Sequence, residues 1–410
     1  MVRKKQHNIV ILGAGVAGMQ VAQTLSKKIK DDKYKIILID KSLFHIFQSD
    51  LYEVATAYKK TMTRECLVAL RETVASPINK MIDTNKISFI RDQITNIDYS
   101  NKEIALKKGE KIKYEFLAIT LGAVTNYYGI NGIEKHSMPL KTVDDAIAIN
   151  CRLDQHLYDL NKNKQNKIVN IVIGGGGPTG VETAAELSRS LNKLAKKYKY
   201  NRKKIKVQII NGSDKLGSID KKVSDIIEKR LKKLGINVTL NSFINSVTRK
   251  EIITKSGKTL RKVKYDILIW TGGIKINPII KRTLKVNEYL QTTFDTKVFA
   301  AGDNAIVQTK NGNLPQVAYI AFNEGKAVAH NIIRSINNED LKKFKPIMPP
   351  TLIPLGGRIA IFHYKWLTFY GRWCWFARNL IFLKYALSIL PIHKAIKKWM
   401  KGTKIFITND

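Results

Sequence analysis

Apolar positions fall along this chain in short dense runs separated by helical stretches. Residues 8–12 (Asn8-Ile9-Val10-Ile11-Leu12) make a nearly unbroken apolar run of the length of a buried parallel strand. A helical pattern follows from about Val16 to Ile29, and a second run, Lys35-Ile36-Ile37-Leu38-Ile39-Asp40, ends on a carboxylate. The succession then repeats. Val169–Ile173 reads as a strand, Thr179 to about Lys197 as a helix, and Lys206–Ile210 as the next strand, after a basic stretch from Lys196 to Lys204. A helix from about Lys221 to Leu234 is stopped by Gly235, and Asn237–Leu240 is a further strand. Short alternating runs over residues 243–265 predict a small hairpin layer. Tyr265–Gly273 is a buried strand ending on glycines, and Tyr114–Ala123 is its counterpart in the first half. Val298-Phe299-Ala300-Ala301-Gly302-Asp303 is a last short strand, and Gln316–Ile336 a closing helix. The repetition predicts an α/β protein with two Rossmann-like dinucleotide-binding domains.

The turns that join strand to helix carry the chemistry. The first is Gly13-Ala14-Gly15-Val16-Ala17-Gly18, the second Gly174-Gly175-Gly176-Gly177-Pro178-Thr179-Gly180. Gly13 permits the tight turn, Gly15 lets backbone approach a pyrophosphate, and Gly18 lets helix pack close on strand. Gly175, Gly177 and Gly180 take the same roles. The helix N-terminus offers free N–H groups to the phosphates. Asp40 lies about 20 residues beyond the first loop, the spacing at which a carboxylate grips a ribose. Two such loops imply two dinucleotides, the layout of an enzyme that passes hydride from a nicotinamide to a flavin.

The second unit departs from the pattern, because its strand ends on Asn211 instead of a carboxylate. Asn211 and Ser213 can still bond a ribose, and Lys215 is near enough to meet a 2′-phosphate. NADH is the expected donor and NADPH stays open. Glu182 stands two positions after Gly180. A carboxylate in a first turn is favoured by the helix dipole alone; the functional alternative is that it orients the nicotinamide or relays a proton. Glu186 shares its face. His45 and His136 read as ordinary, while His363 and His393 are candidates to titrate near a quinone.

Length and charge narrow the class. At 410 residues the chain has room for two or three domains. Cys66, Cys151 and Cys374 are widely spaced, which excludes a disulfide framework and a zinc ribbon and points to a reducing compartment. No metal site is expected. The formal charge is +38, from 71 basic and 33 acidic residues. Such a surface is drawn to acidic lipids or nucleic acid; an AT-rich genome that simply decorates solvated faces with lysine produces the same count. Arg3, Lys4 and Lys5 precede no apolar segment of signal-peptide length, so secretion is not expected. After Pro346, Pro349, Pro350 and Pro354 the texture changes. Ile359–Ile392 is dense in aromatics, including Trp366, Trp373, Trp375, Phe376 and Tyr385, and is followed by Lys394, Lys397, Lys398 and Lys401. Arg378 and Lys384 interrupt any uncharged span, so an interfacial helix is expected, not a transmembrane one; a helix packed on the protein's own core or at a dimer seam is the alternative.

Together these stretches resemble the flavoprotein disulfide-reductase superfamily and, within it, the type II NADH dehydrogenases, NADH:quinone oxidoreductases that do not pump protons. The resemblance covers nearly the whole chain. It is carried by Leu51–Thr56, by residues 119–130 with 140–146, by GGGPTGVETAAEL from Gly175 to Leu187, by Ala301-Gly302-Asp303, and more loosely by the tail with Trp375, Arg378, Tyr385, Lys394 and Trp399. It implies non-covalent FAD held by Gly13, Ala14, Gly15, Val16, Ala17, Gly18, Asp40, Lys41, Gly122, Gly302 and Asp303. It implies NADH bound by Gly175, Gly177, Pro178, Thr179, Gly180, Asn211, Gly272 and Gly273, with Glu182 as the catalytic residue. Tyr319, Asn323 and Lys394 would line the quinone side. Where the family shows Ala-Gln-x-Ala-x-Gln-Gln-Gly, this chain has Ala318-Tyr319-Ile320-Ala321-Phe322-Asn323-Glu324-Gly325, which leaves the acceptor open. The implied organisation is an FAD domain in two parts, 1–145 and 296–340, an inserted NAD(P)H domain, 146–295, and a membrane-anchoring region, 341–410. The expected partners are a quinone, an acidic membrane surface and a second copy of the chain, with no specific nucleic acid, and the expected place is the cytoplasmic face of the cell membrane. A sulfide:quinone oxidoreductase, a soluble NAD(P)H oxidoreductase and a basic nucleic-acid-binding flavoprotein are the alternatives. Essential cysteines would mark the first, indifference to quinones the second, and salt-dependent DNA binding the third.

Overall fold

A computed structural model describes residues 6–309 and 312–407; Arg3, Lys4 and Lys5 lie outside them. Two parallel sheets repeat one plan. In the first, Ile87–Arg91, Tyr34–Asp40, His7–Leu12, Phe116–Ile119 and Asp295–Ala300 lie side by side in that order, with Gln291–Thr292 antiparallel at the edge. In the second, Ile236–Thr239, Ile205–Ile210, Val169–Gly174 and Ile267–Trp270 follow the same order, with Met138–Pro139 at the edge. In both, the strand before the glycine loop lies at the centre, and the crossover helix returns the chain to its neighbour. Parallel register pairs Ile9 with Ile36 and Ile11 with Leu38, then Ile171 with Val207 and Ile173 with Ile209. These side chains are 4% exposed or less, because helices cover their face of each sheet, while the residues between them, Val10 and Leu12 or Val172, pack on a three-stranded antiparallel sheet, Ile94–Asp98, Glu103–Leu106 and Lys111–Lys113 in the first half and strands within residues 243–264 in the second. That is why the sequence shows apolar runs instead of alternation.

The strand Asp295–Ala300 pairs with Phe116–Ile119, Val298 beside Leu117 and Ala300 beside Ile119. The chain therefore comes back to its first sheet after completing the second. The two crossings meet in an antiparallel ribbon, Ala123–Thr125 against Ile274–Ile276. The expected hairpin layer is a three-stranded sheet, Phe243–Val247, Glu251–Ser256 and Thr259–Lys264. The helix Ala318–Ile336 crosses Val16–Lys28 closely: a Cβ on Gly325 would sit 2.4 Å from the Ala17 carbonyl oxygen.

One long helix, Val143–Lys162, was not anticipated. Thr142 caps it, accepting from the Asp145 N–H while the Asp145 carboxylate accepts from the Thr142 N–H. The tail also differs from a single interfacial helix. Thr351–Pro354, Ala360–Tyr364 and Leu367–Gly371 make an antiparallel sheet, and Gly371, at φ +135°, turns the chain into the helix Arg372–Ile389. The helix Ile392–Phe406 follows. The tail bridges both halves. Gln23 donates to the Ile389 carbonyl at 3.2 Å, and Arg230 donates to the Leu355 and Gly356 carbonyls at 2.9 and 2.8 Å.

Candidate functional site

Both glycine loops obey the same steric rule. Gly13 has φ +95°, and a Cβ there would meet the Thr120 carbonyl oxygen at 2.5 Å; Gly175 has φ +110° and would meet Gly272 Cα at 2.8 Å. A Cβ on Gly18 would lie 1.9 Å from the Gly13 oxygen, and one on Gly180 would lie 2.0 Å from the Gly175 oxygen. No residue but glycine fits those four positions. Gly15 is different: its Cβ would meet no protein atom within 4 Å, and that of Gly177 only Ser218 Oγ at 3.7 Å. The middle glycine of each loop thus faces open space at a helix N-terminus, where Val16–Lys28 or Pro178–Lys197 begins. A phosphate fits such a cradle.

Each loop is pinned by the residue that ends the second strand. Asp40 Oδ2 accepts from the Ala14 N–H at 2.7 Å and its Oδ1 from the Ser42 N–H at 2.7 Å. Burial raises the Asp40 pKa against those two bonds. Lys41 beside it is exposed. In the second unit, Asn211 Oδ1 accepts from the Gly176 N–H at 2.9 Å. Its Nδ2 donates to the Ser213 and Lys215 carbonyls at 3.2 and 2.9 Å. Both amide hydrogens are therefore spent on the loop. Asparagine serves as the pin, with Ser213 and Asp214 exposed beside it.

A second set of loops closes on the first cradle. The Gly122 N–H donates to Asn304 Oδ1 at 2.9 Å, and Asn304 Nδ2 donates to the Ile119 carbonyl at 2.9 Å. The Gly302 N–H donates to Glu324 Oε2 at 2.6 Å. Burial pushes the Glu324 carboxyl up to about 7, with Asp303 adding to the rise. Lys141 Nζ lies 3.6 Å from Asp303 Oδ2. Around the second cradle, Gly272 and Gly273 follow the strand Ile267–Trp270, and Gly273 has φ +144° beside the Tyr128 hydroxyl.

The helix Pro178–Lys197 starts one residue earlier than the sequence suggests and has no acidic residue in its first turn, so Glu182 stands just beyond that turn, and its surroundings are the unexpected part of the site. Asp50 ends the turn Gln48–Asp50, and Tyr52 and Glu53 lie on the short helix Leu51–Thr56, which packs on Pro178–Lys197. Asp50, Tyr52 and Glu53 are each 4% exposed or less. Tyr52 donates its hydroxyl to Glu53 Oε1 at 3.0 Å. Into this acidic seam the tail delivers Arg378, whose Nη2 donates to Asp50 Oδ1, whose Nη1 lies 3.9 Å from Glu53 Oε1, and whose guanidinium covers the Tyr52 ring at 5.8 Å. Burial pushes the Glu182 carboxyl up to about 8; Arg378 opposes the rise, and Asp50 and Glu53 add to it. Burial pulls Arg378 down, but Asp50, Tyr52, Glu53 and Glu182 outweigh it and hold its value above normal. Sequence reasoning missed this seam, since Asp50 and Arg378 are 328 residues apart.

The tail also closes over the first loop. His45, 1% exposed, holds Nδ1 at 2.8 Å from the Ala14 carbonyl and Nε2 at 3.0 Å from the Tyr385 hydroxyl. Burial pushes His45 down to about 4. The Tyr385 ring also meets Phe47 at 5.4 Å and Phe322 at 6.1 Å. Lys398, 9% exposed, donates to the Glu72 and Ala75 carbonyls at 3.0 and 2.9 Å, and its ammonium lies 4.6 Å from the Phe47 ring centre. Burial pushes Lys398 down to about 7. The structure places Lys394, one turn earlier, on the exposed face of the same helix. Tyr319 is 44% exposed, and Asn323 donates to the Tyr319 carbonyl at 2.8 Å. His363 sits in the tail sheet, bonded to Thr368 Oγ1 at 3.0 Å, and His393 is exposed. Cys66, Cys151 and Cys374 are free thiols, and burial raises the last two, opposite to an activated thiolate. Among the described residues no group of three or more His, Cys, Asp or Glu side chains is arranged to hold a metal.

Two matched cradles flanking one buried acidic seam define a chain built to bind two dinucleotides. The family model described as pyridine nucleotide-disulphide oxidoreductase matches residues 7–325, and the chain belongs to that family. It is similar to the type II NADH:quinone oxidoreductase of Staphylococcus epidermidis, 26% identical over 373 residues, covering 88% of this chain and 89% of that protein. It is also similar to the type II NADH:quinone oxidoreductase of Haemophilus influenzae, 28% identical over 440 residues, covering 95% of each. Among solved structures, NDH2 from Plasmodium falciparum in complex with NADH superposes with TM-score 0.83 at 20% identity, over 97% of this chain and 98% of that one. The sulfide:quinone oxidoreductase of Aquifex aeolicus shares the fold at TM-score 0.75 and 20% identity, over 92% and 89%.

Proposed function

We propose that this chain is a peripheral flavoenzyme that transfers electrons from NADH to a membrane quinone without pumping protons. The observation that carries the reading is the duplicate cradle: two glycine loops with the same forbidden Cβ positions and the same open middle glycine, in one chain. The first cradle, with Asp40, Gly122, Gly302 and Asp303 around it, fits FAD; the second, with Gly272 and Gly273 at its rim, fits NADH. When bound, FAD supplies the two-electron relay between nicotinamide and quinone. The protein's part is to hold and shield. The helix N-termini at Val16 and Pro178 face the phosphates with their positive ends. Asp40 and Asn211 pin the loops that receive them. Glu182 keeps a proton near neutral pH, at a value suited to exchange with a reduced acceptor.

The tail is proposed as the membrane contact. Trp366 is 79% exposed and Trp373 85%, and Phe369, Phe376, Ile381 and Met400 are exposed with them. Lys384, Lys394 and Lys397 are exposed nearby. Aromatics beside lysines suit the headgroup layer of an acidic leaflet. No helix of the described residues is long and apolar enough to cross a membrane. The proposed place is the cytoplasmic face of the cell membrane, with a second copy of the chain as a tail partner. The raised Cys151 and Cys374 thiols do not favour sulfide chemistry. The test is steady-state turnover of the full chain, crossing NADH and NADPH with a quinone and with sulfide. NADH–quinone turnover that is lost in Glu182→Gln, with FAD retained, is expected. Activity on sulfide alone, or turnover indifferent to Glu182→Gln, overturns the reading.

A further inference from the structure

The seam around Glu182 holds three acidic side chains, Asp50, Glu53 and Glu182, and receives the Arg378 guanidinium against Asp50 and Glu53. That cation does not come from either dinucleotide-binding sheet. It comes from the tail helix Arg372–Ile389, and its side chain is only 13% exposed. Carboxylates gathered in a protected seam repel one another and hold protons more tightly, and a guanidinium engaged with two of them offsets that repulsion on the third. We propose that Arg378 is a positioning residue for Glu182: by engaging Asp50 and Glu53 it leaves Glu182 as the member of the seam that gives up and regains a proton, so that the docked tail completes the site. The inference rests on the quinone-reductase reading only in giving that proton a use.

Among the described residues the groups that act on the seam include Asp50 and Tyr52 with Glu53 on one side, Glu182 on the second loop's helix with Glu186 buried one turn along it, and Arg378 on the tail; Lys398 on the last helix also interacts with Asp50. Lysine at position 378 would keep a charge but lack the planar fork that spans two acids. Removing the cation and removing one anion must therefore move Glu182 in opposite directions. A residue that merely props the seam open would not do that.

The experiment is a pH titration of protonated carboxyl absorption by infrared difference spectroscopy on the full-length, flavin-loaded protein. Glu182→Gln identifies the band. In Arg378→Gln the proton affinity of Glu182 is expected to rise about tenfold or more, that is, by one pH unit. In Asp50→Asn it is expected to fall by a similar factor, and Arg378→Lys should lie between wild type and Arg378→Gln. Flavin absorbance confirms that each variant is folded and loaded. Titrations that coincide, or that shift the same way in Arg378→Gln and Asp50→Asn, overturn the proposal, as does a wild-type spectrum with no band removed by Glu182→Gln. Lack of NADH–quinone turnover in the wild type defeats the functional reading while the infrared titration still decides the role of Arg378.

Discussion

Replacing Glu182 with glutamine should make the protein more stable while disabling it. The carboxyl titrates at about 8 in the folded chain, against an ordinary value of 4.5. Its folded value is raised, so its favourable contribution is present below the ordinary value and is lost as pH climbs through the folded one. Between those limits the unfolded chain has released the proton and the folded chain has kept it, which costs about 1.4 kcal/mol per pH unit. By pH 7 the loss is roughly 3 kcal/mol, an upper figure because Glu182 is only partly buried and solvent screens the rest. Glutamine keeps the shape and carries no such cost. Urea unfolding of both proteins at about pH 5.5 and about pH 8.5 measures it: the stability gap between variant and wild type should widen by up to about 3 kcal/mol across that interval. A gap that stays constant refutes the reasoning, because it means Glu182 does not titrate out of the ordinary. Stability gained where turnover is lost is the signature of a group held at a site for chemistry.

Gly18→Ala places a Cβ against the Gly13 oxygen and should abolish FAD retention, read as the flavin-to-protein absorbance ratio; a normal ratio contradicts the cradle. Asn211→Asp keeps the acceptor for the Gly176 N–H but loses the donors to Ser213 and Lys215. It should cost about 1–3 kcal/mol of stability and disfavour NADPH against NADH roughly tenfold, checked by unfolding and by the ratio of kcat/KM values. Trp366→Ser with Trp373→Ser, both far out in solvent, should weaken binding to vesicles containing acidic lipid by tenfold or more without changing flavin content. Unaltered partitioning in a vesicle flotation assay counts against the tail as the membrane contact.

The architecture was legible because its strongest signals are steric. A parallel sheet covered on both faces demands uninterrupted apolar strands, and close approach at Gly13, Gly18, Gly175 and Gly180 admits no side chain. The helix Val143–Lys162 left a readable mark, the Thr142–Asp145 capping box, which went unused. The tail was harder. Its aromatic content says that the segment is amphiphilic, but the division into sheet and helix depends on Gly371, whose positive φ shows only in three dimensions. Lys394 and Lys398 sit one turn apart on one helix, and sequence offers nothing to choose between them; packing against Phe47 buries Lys398 and leaves Lys394 in solvent. The Asp50–Arg378 pair was beyond reach for a similar reason, since charges so far apart in the chain declare no partnership until the fold brings them together.

Rapid mixing of the purified, flavin-loaded protein with NADH under anaerobic conditions, followed by mixing with a soluble quinone, tests the central claim most directly. The account predicts that the flavin absorbance bleaches on the first mixing and returns on the second, with the return slowed in Glu182→Gln. Flavin that stays oxidised after NADH, or that stays bleached after quinone, would contradict it.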